Sequence, residues 1–543
     1  MVDIQLIEQL LSEYCTTRNY RYSYGTAGFR DDASKLDTVM FTTGIVACLR
    51  SIALKGKPIG VMITASHNPP CDNGVKIVEP DGSMLIQAWE ATATDLANLV
   101  SSGNQKAILE RLKDLVPAGN AEYRARLVLG RDSRSSGPHL LSCLLASAKN
   151  LFNADVKDYG LLSTPQLHFL TNELSNDNDH SEISESKYFD FFLSAWSTIM
   201  ESHGAETTAS SNFEYLTIDT ANGIGGPKIQ ELLKRWPLVQ QVCVINNAWE
   251  NPELLNHMCG ADFVKTNQCL PHGIRNEDNS NKLFCSFDGD ADRVVFYYVD
   301  ATGVFNLLDG DKIATLFAKF ISQLLDEADL KSKLSMGIVQ TAYANGSSTN
   351  YLKEKLKVPV TCAKTGVKHL HHEAITHYDI GIYFEANGHG TIIFSKKFFE
   401  VISSNAAKSA ATNTLKALSQ LINQTVGDAI SDMMGVLAVL SILNWSPADW
   451  NKEFTDLPNK LTKVIVPDRT IFVATDQERK LLSPRGLQDK IDAEVAQFDN
   501  GRSFVRASGT EDAVRVYAEA STREDTEKLS RAVSSLVLAS VSN

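Results

Sequence analysis

Short apolar runs alternate with amphipathic stretches along most of the chain, the pattern of strands and helices in α/β layers. "IGVMIT" (Ile59 to Thr64), "ARLVLG" (Ala125 to Gly130), "YLTIDT" (Tyr215 to Thr220) and "LFCSF" (Leu283 to Phe287) read as buried strands. "KIQELLKRW" reads as an amphipathic helix, "DGDKIATLFAKFISQLL" as a long one, and "MVDIQLIEQLLSEY" as a surface helix. The longest apolar run of note, "GVLAVLSIL" (Gly435 to Leu443), is far too short to span a bilayer. From Leu461 onward "KVIV", "GLQDKIDAEVAQF", "SFVRAS", "AVRVYAEA" and "REDTEKLSRAVSSLVLASV" predict a compact α+β unit. The polar, acidic stretch Thr171 to Ser186 predicts an exposed insertion near a first boundary. A second break is expected near Tyr297 to Gly303, and a third near residue 445, where "LNWSPADWNKEF" begins.

Length and composition narrow the classes. The 543 residues suggest three or four domains at roughly 150 residues each. A net charge of -13 argues against non-specific nucleic-acid binding, so any phosphate must be met by clustered Arg and Lys. Nine cysteines without CxxC pairs read as reduced, buried thiols of a cytoplasmic protein. The amino-terminal stretch lacks a basic region and a cleavage site, and so does not read as a signal peptide.

Four stretches carry chemistry. "FDGDADR" places Asp288, Asp290 and Asp292 two residues apart just after an apolar strand, where extended backbone would project them from one face. Crowded carboxylates repel, and a hard divalent cation, Mg²⁺, relieves that repulsion. An EF-hand is excluded, because Arg293 and Val299 stand where that loop needs Gly and Glu. "ITASHNPPCDNGVKIV" holds Ser66 on a loop stiffened by Pro69 and Pro70, with "DNG" expected as a tight turn. There is no G-x-S-x-G elbow, and His67 diverges from its neighbour, so a phosphoryl-carrying serine fits better than a hydrolase triad. Lys76 stands across the turn as a cation for a transferring phosphate. In "RASGTEDAVRVYAEA", Arg506 and Arg515 flank Ser508, Gly509 and Thr510, a set suited to a dianion. In "EANGHG", Glu385 and Asn387 can bind sugar hydroxyls, Gly388 lets backbone approach a ligand, and His389 can exchange a proton near neutral pH. Two further stretches are decoys: "HEAITH" spaces His372 and His377 five apart, on different helix faces, and "NGIGG" (Asn222 to Gly226) reads as a turn.

Together these motifs resemble the α-D-phosphohexomutases: a phosphoserine loop, a D-x-D-x-D-R metal loop, an E-x-x-G-H sugar loop and an R-x-S-G-T-E phosphate loop, in family order. "YGTAGFR", ending in Arg30, is similar to the family's amino-terminal active-site segment. The sugar loop "EANGHG", the segment "AKTGVKHLH" (Ala363 to His371), and "LGRDSR" (Leu129 to Arg134) following rather than preceding the serine loop resemble the eukaryotic branch acting on N-acetylglucosamine phosphates. The resemblance implies an α/β protein of four domains around a central cleft, three related α/β units with mixed sheets and a smaller α+β unit. It places them at 1–180 (phosphoserine loop), 181–298 (metal), 299–445 (sugar) and 446–543 (phosphate). It implies interconversion of N-acetylglucosamine 6- and 1-phosphate on the route to UDP-GlcNAc, through phosphoserine at Ser66 and a 1,6-bisphosphate intermediate. One Mg²⁺ would be held by Asp288, Asp290, Asp292 and an oxygen on Ser66. Lys76, Arg30 and Arg293 would offset charge, and Lys76 and His389 both stand as proton carriers. Arg506, Ser508, Gly509, Thr510 and Arg515 would hold the phosphate that is not reacting. The partners implied are sugar phosphates, with no nucleic acid and no membrane, in a monomer or weak dimer. A phosphoglucomutase or phosphomannomutase, a phosphoserine-type phosphatase and a non-catalytic sensor are the rival readings.

Overall fold

The computed structural model describes residues 4–25, 28–115, 122–176, 183–204, 214–238, 241–274, 282–404, 409–475, 477–508 and 512–541. They form two compact units, residues 1–307 with 417–444, and residues 308–416 with 445–543.

The first unit holds two sheets. Strands Phe29–Asp32 (β1), Pro58–Ile63 (β2), Asp72–Val78 (β3), Arg126–Arg131 (β4) and Asp155–Leu161 (β5) lie in the order β1-β3-β2-β4-β5. There β2, β4 and β5 run parallel, and β3 runs antiparallel to both β1 and β2. Strands Tyr215–Asp219 (β6), Gln241–Ile245 (β7), Lys282–Phe287 (β8), Val294–Val299 (β9) and Phe305–Leu308 (β10) form the second sheet, in the order β10-β9-β8-β6-β7. Its β6, β7 and β8 are parallel, with β9 antiparallel beside β8. Buried on both faces, β2 is apolar throughout, as a strand in a covered parallel layer requires.

The second unit repeats the design once. Met336–Thr341 (β11), Val360–Ala363 (β12), Ile380–Phe384 (β13) and Gly390–Phe394 (β14) give a parallel triplet extended by antiparallel β14, in the order β12-β11-β13-β14. Asn459–Ile465 (β15), Val473–Ala474 (β16), Leu481–Ser483 (β17), Arg502–Ala507 (β18) and Ala513–Glu519 (β19) follow. Of these β15, β19 and β18 make an antiparallel sheet, with β16 and β17 as a small ribbon. One face of that sheet, through Val464, Val505, Val514 and Val516, packs on the helices Leu487–Val495 and Arg523–Val541.

Several expectations change. "DNG" is the start of β3 and not a turn: Asp72, Asn73 and Gly74 pair with Asp32, Asp31 and Arg30. Gly74 is needed because a Cβ there would sit 2.3 Å from the Phe29 carbonyl oxygen and 2.6 Å from that of Thr64. Residues 171–176 of the expected insertion finish the helix Thr164–Asn176, with Thr171 and Leu174 buried. The expected break at Tyr297 to Gly303 is the connection from β9 to β10, so the chain stays in one sheet as far as Leu308. Five cysteines are buried, but Cys71 and Cys243 are exposed. "GVLAVLSIL" belongs to the helix Ala429–Leu443, which is buried through Ser441. Among the described residues no helix is long and apolar enough to cross a membrane.

Candidate active site

In parallel layers, side chains that meet a ligand sit on loops after the carboxyl ends of strands. Ser66 follows β2, Asp288 follows β8, Thr164 follows β5 and Glu385 follows β13.

Ser66 is fully buried and adopts φ +52°, a left-handed conformation that costs a residue with a Cβ about 1–2 kcal/mol. The surroundings hold it there. Arg134, itself buried, donates from Nη1 to the carbonyls of Pro69 and Asp72, from Nη2 to those of Ser66 and Asn68, and from Nε to Asp132. Asn256 Nδ2 donates to the carbonyls of Ser66 and Asn68, each at 3.0 Å. Thr64 Oγ1 accepts from the Ser66 amide and donates to Asp132. These contacts leave the Ser66 hydroxyl to donate to Asp288 Oδ2 at 2.5 Å.

The acidic loop converges by turning, not by extension. Ala291 sits at φ +59° between Asp290 and Asp292, and one carboxylate oxygen from each of the three aspartates lies within 4.8 Å of the others. Backbone carbonyls of the loop are held by three helix beginnings. Ile224 donates to Gly289 from the cap of the helix Gly225–Leu233, Thr164 donates to Asp290, and Ala429 donates to Ala291. Helix amino-termini carry partial positive charge, which favours an acidic loop. Asp288 Oδ1 accepts from the amides of Asp292 and Arg293, and Thr164 Oγ1 donates to Asp290 Oδ2.

Side-chain cations complete the balance. Lys76, on β3, lies 3.2 Å from Asp290 and 3.0 Å from Asp292. Arg293 is paired to Asp262 at 2.9 Å and lies 3.7 Å from Asp288. Burial pushes the Arg30 guanidinium below its usual range, with Asp290 and Arg293 the next influences. Burial, then the charges of Asp292 and Asp290, push the Asp288 carboxyl well above the usual range. Asp290 is also raised by burial and by Asp292, but Lys76, Thr164 and Arg30 outweigh them and its pKa lies below normal. Burial lowers Lys76, yet Asp290 and Asp292 leave it raised. The donors are all oxygen, and Asp290 Oδ1 is buried without a hydrogen-bond partner among the described residues. That set fits a hard divalent cation such as Mg²⁺.

In the second unit the sugar-loop residues form a turn after β13. The Glu385 amide donates to the His389 carbonyl, Gly388 donates to Glu385, and the Asn387 side-chain oxygen accepts from the His389 amide. Asn387 thus turns its oxygen inward. Glu385 Oε1 accepts from the Gly366 amide at 3.2 Å, and His389 is buried. In the last sheet Arg506 stands directly opposite Arg515, and Arg515 opposite Lys463, on the face away from the valine core. Like charges facing across strands cost energy unless an anion joins them. Ser508 follows β18; Gly509 and Thr510 lie outside the described residues, as do Thr26 and Ala27 of "YGTAGFR".

Ser66, Lys76, Asp288, Asp290, Asp292 and Arg293 are thus drawn together in one unit, and Arg506, Ser508 and Arg515 cluster in the other. Sequence reasoning missed Arg134, Asn256, Thr164, Asp262 and Lys463. Only Arg134 carried a signal, as the last residue of "LGRDSR".

Family models match in four places: phosphoglucomutase/phosphomannomutase, α/β/α domain I, at 32–104; phosphoacetylglucosamine mutase AMG1, domain II, at 179–295; domain III of the same at 309–445; and the phosphoglucomutase/phosphomannomutase C-terminal domain at 461–535. The phosphoacetylglucosamine mutase of Saccharomyces cerevisiae is 57% identical over 537 residues, covering 95% of this chain and 96% of that one. A crystal structure of an N-acetylglucosamine-phosphate mutase in its substrate complex matches with a TM-score of 0.90 at 51% identity, covering 98% and 99% of the two chains. The Aspergillus fumigatus N-acetylphosphoglucosamine mutase, solved with GlcNAc-6P and magnesium, matches with a TM-score of 0.90 at 44% identity, covering 99% of each chain. With its serine and acidic loops joined, and relatives similar along nearly their whole length, the chain belongs to the phosphoacetylglucosamine mutase family of the α-D-phosphohexomutases.

Proposed function

We propose that the chain interconverts N-acetylglucosamine 6-phosphate and N-acetylglucosamine 1-phosphate, with Ser66 as the phosphoryl carrier. The observation that carries this reading is the 2.5 Å hydrogen bond from Ser66 Oγ to Asp288, inside a cluster of three carboxylates of which Lys76 bridges the other two.

The working form carries phosphate on Ser66. The free hydroxyl of the sugar phosphate attacks that phosphorus, its proton passes to a base, and the bond from phosphorus to Ser66 Oγ breaks. The product is the 1,6-bisphosphate. After it reorients, Ser66 Oγ attacks the other phosphate, and the sugar leaves as the isomer. Lys76, Arg30 and Arg293 offset the charge that spreads over the phosphoryl oxygens, the main demand of such transfers. Asp288, Asp290, Asp292 and an oxygen on Ser66 would hold Mg²⁺, which would supply further charge neutralisation there. Glu385 and Asn387, the latter through its amide NH₂, are the proposed ligands of sugar hydroxyls, with Gly388 allowing close approach. Arg506, Ser508 and Arg515 are the proposed grip on the second phosphate, an assignment supported by the like-charged pair across β18 and β19. The proton carrier is His389 or Lys76, and the pH profiles of kcat for His389→Ala and Lys76→Ala separate them. Cytoplasmic residence, supply of UDP-GlcNAc synthesis and a monomer or weak dimer belong to the same reading.

The test is the intact mass of the protein before and after incubation with N-acetylglucosamine 6-phosphate. A phosphate mapped to Ser66 that exchanges with substrate phosphate is the expected result. Steady release of inorganic phosphate marks a phosphatase instead. Equal kcat/KM for glucose 6-phosphate would remove the N-acetyl specificity.

A further inference from the structure

Arg506 is already occupied by an internal anion. Glu478, in the connection between β16 and β17, places Oε1 2.9 Å from Arg506 Nε. Its other oxygen, Oε2, accepts from the Thr365 amide at 3.0 Å and from the Thr365 hydroxyl at 2.5 Å. Thr365 precedes Gly366, whose amide donates to Glu385 Oε1. One carboxylate therefore ties the arginine of the phosphate face to the segment that steadies the sugar-loop glutamate, all within the second unit. This is the place of "AKTGVKHLH", which the proposed chemistry leaves without a role.

A second ion pair in the same unit shows the contrast. Arg502 and Glu519 are joined at 3.1 Å, Arg502 donates to the carbonyls of Ala342 and Ala344, and Glu519 accepts from the amide of Gly346. Glu519 is 1% exposed although its partner Arg502 is 30% exposed, so it is the acid of that pair that is locked into the packing. At the first pair Arg506 is 31% exposed, much as Arg502 is, but its acid Glu478 is 15% exposed and so free enough of the packing to be displaced when another anion reaches the guanidinium. A phosphate dianion carries more charge than a carboxylate and matches an arginine fork as well.

We propose that Glu478 is a stand-in for phosphate: it holds Arg506 in the phosphate-free chain, yields it to the incoming phosphate, and in yielding loosens its hold on Thr365 beside the sugar loop. The proposal rests on the reading of Arg506 as a phosphate ligand. No bond to phosphorus changes; one anion replaces another on a guanidinium.

The experiment titrates inorganic phosphate into the full chain by calorimetry, for wild type, Glu478→Gln and Arg506→Ala, with Tm recorded for each. Glu478→Gln keeps the shape and removes the competing charge, so its phosphate Kd should fall by about threefold to tenfold. The KM for N-acetylglucosamine 6-phosphate should fall with it while kcat does not rise. Amide exchange at 363–366 should speed up when phosphate binds to wild type. If Glu478→Gln lowers Tm sharply, Glu478→Ala, which also removes the competing carboxylate but sets no amide against Thr365, should show the same gain. An unchanged or weaker phosphate Kd in the folded variants overturns the proposal, because a purely orienting glutamate gives that result. If Arg506→Ala binds phosphate like wild type, the phosphate-site reading falls first. If Arg506→Ala loses phosphate while Glu478→Gln gains nothing, only the stand-in falls.

Discussion

Arg134 has almost no surface to offer a substrate, yet four of its hydrogen bonds end on carbonyls of the loop that carries Ser66. Replacing it by Met leaves those carbonyls and the buried Asp132 without their cation. Loss of one partner of a buried pair costs about 3–5 kcal/mol. Urea denaturation of Arg134→Met should show a loss of that size together with a collapse of kcat, and a near-neutral change would mean that water can replace the guanidinium. Asp428 answers to pH instead. It caps the helix Ala429–Leu443 and accepts from Tyr188, and burial raises its carboxyl to about 6 from 3.8. An acid raised by folding keeps its proton longer in the folded chain, so its stability is full below about 3.8 and is lost as pH rises through 6. At about 1.4 kcal/mol per pH unit the loss is about 3 kcal/mol. Asp428→Asn removes it, so the variant should gain on wild type in unfolding free energy between pH 4 and 7.5; a constant difference would mean that Asp428 titrates normally. Ser66 and the three aspartates were legible because each lies in a compact motif. Asn256 and Thr164 were not, since their partners lie 190 and 126 residues away and contact at that range leaves no local pattern; Arg134, 68 residues from the Ser66 carbonyl it meets, showed only as the end of "LGRDSR", without its role.

Elements set how closely the two reacting loops can approach. A Cβ on Gly289 would lie 2.5 Å from the Ser66 carbonyl oxygen, and one on Gly223 would lie 2.4 Å from the Gly289 carbonyl oxygen. "NGIGG" is therefore more than the turn it was read as, because Gly223 lets the helix Gly225–Leu233 come down on the acidic loop. Gly289→Ala must push that loop away from Ser66. Overpacking of this kind costs about 1–3 kcal/mol, and a misplacement near 1 Å costs about a hundredfold in rate. Steady-state kinetics with a Tm check each part, and unchanged kcat would show that the serine and acidic loops need not touch. The strands were readable because their apolar runs are continuous, as at β2 and β8. What misled was local chemistry overruled by pairing. "DNG" is turn-prone in isolation, but β1 recruits it into the sheet, and the polar residues 171–176 stay helical because Thr171 and Leu174 face inward.

The three aspartates, the serine, Lys76, and the helices beginning at Thr164, Gly225 and Ala429 all belong to the first unit. The metal should therefore act on that unit's stability directly. A ligand present at 100 times its Kd stabilises the state that binds it by about 2.7 kcal/mol. For amides that exchange by opening of the acidic loop, this slows exchange by about a hundredfold. Mg²⁺ should protect the amides of Ile224, Asp292, Arg293 and Ala429, since each donates to the acidic loop, while leaving the Arg502–Glu519 sheet of the second unit unchanged. Asp290→Ala should abolish the effect, and chelation should reverse it in wild type. Inorganic phosphate should give the complementary pattern, changing exchange at 363–366 in the second unit through Arg506 and Glu478. If Mg²⁺ instead protected both units equally, the cation would be stabilising the chain through some route other than the loop described above. The proposed assignment of phosphoryl transfer to residues of one unit and phosphate retention to residues of the other would then lose its thermodynamic basis.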